Sequence, residues 1–73
     1  MQLVDRRTYR GKFPERTING YVNDRTIMAI NSIDRTVRHD GPDYFNRTDT
    51  REEFEAWASH DVTQQLPAGE YMT

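Results

Sequence analysis

The residues that could do chemistry are few and scattered. His39 and His60 are the only imidazoles among 73 residues, and there is no cysteine. A tetrahedral metal centre needs about four converging ligands, which two histidines this far apart do not supply. Each is followed by an aspartate (Asp40, Asp61), but neighbours along a chain usually point different ways, so both read as surface histidines. Ser59 lies next to His60, yet a nucleophile and its base need hydrogen-bond geometry that adjacency does not provide. Glu52 and Glu53 point to different sides of a helix and build no acid–base pair. The four glycines form no phosphate-binding loop. The residues therefore predict a chain that is not an enzyme and uses no cofactor and no metal.

Recognition chemistry is better represented. Arg6, Arg7, Tyr9, Arg10 and Lys12 form a basic, aromatic-interleaved segment, continued by Phe13. Guanidinium groups and rings are the usual anchors of protein interfaces, and the same mixture pairs phosphates and stacks on bases. These five residues are the expected partner-binding set. Residues 1–16 carry a balance of +3, against −6 over residues 40–73. Such a split predicts a directed field and an oriented docking, although uneven solvated ends would look the same. The pI near 5.6 opposes non-specific attachment to DNA.

Turn and capping signals place these residues on elements. Arg-Thr recurs at 7–8, 16–17, 25–26, 35–36 and 47–48, a spacing close to one short strand plus a turn. Arg10-Gly11 reads as the break after a first strand. Asn19-Gly20 suits a type I′ turn, since both residues tolerate positive φ. Strands are expected near 2–9, 15–18 and 21–23, and Gly41-Pro42 ends whatever precedes it.

Residues 24–38 read two ways. Ile27, Ile30, Ile33 and Val37 fall at helical spacing behind a capping Asp24. The β-branched content favours strand instead, in one version a pair bent near Asn31-Ser32. The clearest helix runs from Arg51 to Ser59. Thr50 and Glu53 make a capping box, and Phe54, Trp57 and Ala58 share the face that docks on the sheet. The expected fold is α+β: a small antiparallel β-meander with one short C-terminal helix packed on it. Residues 1–62 form the single domain and 63–73 a flexible tail.

Composition bounds the rest. Apolar residues make up 34% of the chain, so the core is thin, but four Tyr, three Phe and one Trp argue against disorder. The missing cysteines, the absence of an apolar stretch at the start and the lack of a long apolar run predict a protein of the cytoplasm, with no membrane partner.

The basic start (Arg6, Arg7, Tyr9, Arg10), the Thr50-Arg51-Glu52-Glu53-Phe54 helix, the length and the polar tail together resemble the small transcription regulator of a lytic Xanthomonas phage. The resemblance covers the whole chain in layout and includes no diagnostic motif, so no contact residue is carried over. It implies a partner, host RNA polymerase at the N-terminal part of the β′ subunit, in the host bacterial cytoplasm. It also implies inhibition of initiation by σ factor displacement, and antitermination near the RNA exit channel, where nascent RNA is a further contact. Two rivals stand beside it. One is a small DNA- or RNA-binding module, for instance a ribbon-helix-helix-like dimer with a strand near 25–30. The other is a protein inhibitor of another host enzyme.

Overall fold

Arg25–Asn31 and Thr36–Gly41 pair as antiparallel strands, which settles the ambiguous stretch as a bent strand pair. Branched side chains decide it: Ile27, Ile30 and Val37 pack across the pleat where a helix would restrict them. The computed structural model describes residues 1–17, 20–42 and 44–65. Its elements are β1 (Thr8–Gly11), β2 (Arg25–Asn31), β3 (Thr36–Gly41), β4 (Tyr44–Thr50), α1 (Arg51–Trp57) and β5 (Ala58–Asp61), then a 3-10 turn, Thr63–Gln65. The five strands form one antiparallel sheet in the order β4-β3-β2-β1-β5. This is the expected α+β antiparallel meander with its short helix; β4 and β5 are strands that the sequence reading did not place. Arg-Thr pairs stand at the starts of β1, β2 and β3.

The helix forms as its capping residues dictate. Thr50 Oγ1 accepts from the Glu53 amide at 3.1 Å, and Glu53 Oε1 accepts from the Thr50 amide at 2.9 Å. It ends at Trp57, two residues earlier than expected, because Ala58 is extended (φ −74°, ψ 138°) and opens β5. A flat five-stranded sheet would set its edge strands about 19 Å apart, four spacings of ~4.8 Å. A helix of seven residues rises only about 10 Å. The sheet therefore curls to bring the end of β4 within a helix length of the start of β5.

Phe54 is fully buried at the centre of the concave face, among Leu3, Tyr9, Ile27, Val37 and Ala58. Its ring meets Tyr9, His39 and Trp57 edge-on, with centroids 5.8, 5.2 and 5.3 Å away. The expected Phe54, Trp57, Ala58 stripe is this core face.

Several boundaries differ from the sequence reading. β1 starts at Thr8, not near residue 2, because Arg6 adopts φ +68° and Arg7 N–H turns back to the Val4 carbonyl. β1 ends at Gly11, as the Arg10-Gly11 break predicts, with Gly11 against the Trp57 indole. Arg16 and Val22 form an isolated bridge, and the described residues of the expected strands 15–18 and 21–23 form no strand beyond it. Gly20 has the positive φ (+87°) expected of its turn, whereas Ile18 and Asn19 lie outside the described residues. β3 ends at Gly41, as the following proline requires. Of the expected tail, residues 66–73 lie outside the described residues, while Thr63 is held through Oγ1, which accepts from Thr8 N–H at 2.7 Å.

Gly11 carries a specific expectation. A Cβ there would stand 2.5 Å from Trp57 Nε1 and 2.7 Å from Cε2. Gly11→Ala should displace the indole and disturb its stacking with the Arg25 guanidinium, 4.0 Å from the ring centroid. Overpacking of this kind costs about 1–3 kcal/mol. Urea unfolding followed by tryptophan fluorescence should show a lower midpoint and an altered native emission maximum.

Candidate docking surface

The sheet scatters the basic segment instead of displaying it. Along β1, side chains alternate between faces. Tyr9 points into the core, is 2% exposed, and accepts a hydrogen bond from Val4 N–H at its hydroxyl, 2.9 Å away. It is a core residue and is withdrawn from the docking set. Its aromatic character was legible; the face it occupies was not.

Arg7 and Arg10 are held by carboxylates from distant segments. Arg7 Nε donates to Asp61 Oδ2 at 2.7 Å, because β5 returns beside β1. Burial pushes the Asp61 carboxyl up, but the hydrogen bonds from Arg7 and Thr63 outweigh it and hold it below the usual carboxylate range. Arg10 makes a two-pronged contact with Asp24, Nε to Oδ1 and Nη2 to Oδ2, both 3.0 Å, and the Asp24 side chain is 3% exposed. The charge split along the chain is thus partly closed by the fold. Arg25–Asp49 and Arg35–Glu52 close it further.

Arg6 and Lys12 remain exposed, one before β1 and one after it, separated by about 13 Å of strand. Arg6 has a loose contact with Asp5 at 3.9 Å. Lys12 opens the hairpin that ends at Asp24. Asn23 N–H donates to the Glu15 carbonyl and Glu15 N–H to Asn23 Oδ1, so the base is pinned on both sides and again by Arg10–Asp24. This loop holds Phe13 84% exposed, between Lys12 and Arg16. Phe13 belongs to the surface more fully than Tyr9, and only the position of β1 distinguishes the two rings.

The residues considered for catalysis also separate. His39 is fully buried on β3, where its Nε2 lies 2.8 Å from Asp49 Oδ2. A carboxylate only accepts, so Nε2 carries the proton. Burial pushes the His39 pKa below its ordinary 6.5, and the nearby Arg25 and Arg47 add to this against the opposing pull of Asp49. His39 is a packed structural residue, contrary to the surface reading. His60 is exposed on β5, and its Nδ1 lies 3.0 Å from Ser59 Oγ. Among the described residues, no three of His, Asp or Glu converge as metal ligands, and no helix is long and apolar enough to cross a membrane.

Strand addition along β4 meets an obstacle. A β-bulge at Phe45-Asn46, with Asn46 at φ +57°, interrupts the ladder. The Asn46 amide is taken by Asp40 Oδ1 at 2.8 Å and the Thr50 amide by Glu53 Oε1. The bulge and these side-chain contacts interrupt the regular run of groups that a guest strand would pair with along β4. No family model, curated protein or solved structure matches the chain.

Proposed function

We propose that the chain is a non-catalytic regulator that docks on host bacterial RNA polymerase, inhibits initiation by displacing σ factor and promotes antitermination. The partner comes from the whole-chain resemblance to the phage regulator. The observation that supports docking is Phe13, an 84% exposed aromatic on a hairpin pinned at its base, with Lys12 and Arg16 beside it. An aromatic held in place loses little entropy on binding and suits an anchor in a partner pocket. Its cationic neighbours suit acidic residues around that pocket.

Purified polymerase core and σ-containing holoenzyme, mixed with the full chain, provide the test. Binding to core and release of σ are expected. Phe13→Ala combined with Lys12→Glu should weaken binding by roughly tenfold or more, since hot-spot truncations commonly exceed that factor. Circular dichroism should stay unchanged, because both side chains are exposed. Charge reversal at Arg7 or Arg10 is a poor probe, as it would break the contacts with Asp61 and Asp24. Absence of any complex with either polymerase form would overturn the reading.

The same cationic-aromatic loop favours a nucleic-acid module as the second reading. A salt titration against single-stranded RNA and duplex DNA separates the two. A steep fall in affinity with salt, without polymerase binding, would select the nucleic acid.

A further inference from the structure

On the sheet face opposite α1, cross-strand partners Ala29, Arg38 and Thr48 form a row over three strands. Thr36 and the flanks of Ile30 and Ile33 complete a shallow groove of about 600 Å³. Its lining mixes the apolar surfaces of Ala29, Ile30 and Ile33 with the polar Asn31, Ser32 and the two threonines, and Arg38 is the one charged group among them. The Arg38 Nη1 donates to Asn46 Oδ1 at 2.7 Å, and no carboxylate of the described residues pairs with it. Such a groove accepts an apolar side chain followed closely by a carboxylate.

The chain carries that pair at the groove's own rim. Ile33 and Asp34 sit in the β2–β3 turn, and Ile33 is 94% exposed. The turn is fixed: Asn31 Oδ1 accepts from the Ile33 and Asp34 amides at 3.0 and 2.9 Å, and Arg35 closes it at φ +54°. Asn31 Nδ2 holds Asp34 Oδ2 at 3.1 Å, which orients the carboxylate and leaves Oδ1 to a partner. The turn therefore presents Ile33 on a backbone already ordered before any contact.

We propose that this face is an interface between two copies of the chain, in which Ile33 of each enters the groove of the other and Asp34 of each meets Arg38 of the other. A projection adjoining its own receptor groove suits a two-fold axis, because one rotation makes both contacts at once. The Asp34–Arg38 contacts also neutralise the junction between two chains that each carry −2. This face lies at the far end of β2 from the Phe13 hairpin, so dimerisation and polymerase docking stand or fall separately.

Sedimentation equilibrium on the full chain tests the proposal. Loading from about 10 µM to about 1 mM brackets the small end of specific interfaces, and a dimer should grow in across it. Ile33→Asp should leave a monomer throughout. Asp34→Arg and Arg38→Glu should each be monomeric alone, since each sets like charges together at both contacts. Mixed in equal amounts, they should associate, because both contacts of the mixed pair regain opposite charges. Far-UV circular dichroism of each variant should match the unsubstituted chain. A monomer at every concentration, a dimer that survives Ile33→Asp, or a mixture no more associated than its components would overturn the proposal.

Discussion

Phe54→Ala should abolish the cooperative urea transition of this chain at 25 °C. The ring is fully buried and meets three others: Tyr9 from β1, His39 from β3 and Trp57 from its own helix. Phe→Ala in a core costs about 3–5 kcal/mol through lost transfer and an unfilled cavity. A single core in a domain below about 80 residues rarely supplies more than ~3–5 kcal/mol in total. The two quantities are of one size, so little net stability remains. Phe54→Leu keeps most of the volume and should retain a cooperative transition with a lowered midpoint. Far-UV circular dichroism against urea reads both. An alanine variant that unfolds within about 1 kcal/mol of the parent would show that the surrounding side chains collapse into the space.

What was legible in the sequence depended on how local the cause is. The Thr50–Glu53 box is a side-chain-to-backbone exchange over three residues, so its pattern alone places the helix start. Phe54, Trp57 and Ala58 recur with the helical period, and the helix has only one face to bury. Three of the five Arg-Thr pairs stand at strand starts, where threonine suits a pleated surface; the pair at 16–17 lies outside the named strands and that at 47–48 inside β4. β5 escaped notice because Ser59, His60 and Asp61 form a short polar segment, given strand form by β1 alone. Tyr9 was misplaced in the docking set for a related reason. Tyr9 and Phe13 would share a face of one continuous strand; they part because β1 ends at Gly11 and leaves Phe13 in the loop beyond it. Arg7 and Asp61 are joined only by the return of β5, so the charge split in the sequence could not reveal its own closure. His39 was the largest misreading. An imidazole becomes a core residue when β2, β4 and α1 enclose it, and none of those neighbours is local.

That enclosure gives the second large effect. Asp49→Ala should destabilise the fold by about 2–4 kcal/mol, the range for stranding buried donors that lose their charged acceptor. Asp49 Oδ2 accepts from His39 Nε2 at 2.8 Å and from Arg25 Nη1 at 3.2 Å, so one deletion orphans two donors. It also releases Arg25 from its position over Trp57. Asp49→Asn keeps an acceptor of the same shape and should cost less.

The pH dependence follows from the same neighbours. Asp49 and Arg47 on β4, Arg25 on β2 and the Phe54 ring on α1 surround an imidazole whose folded pKa lies below the 6.5 of an unperturbed histidine. The unfolded chain therefore binds the proton first, and stability falls as pH drops through 6.5 toward the folded pKa. Stability from His39 is complete above that window and lost below it. Asp61 and Glu52, both held below the usual carboxylate range, contribute stability that fades only at more acidic pH, as each is protonated. Urea midpoints measured between about pH 7.5 and 5 should fall for the parent chain. His39→Gln, which cannot take the proton, should be weaker at neutral pH yet flatter across the range. A His39→Gln profile as steep as the parent's would assign the slope to another group.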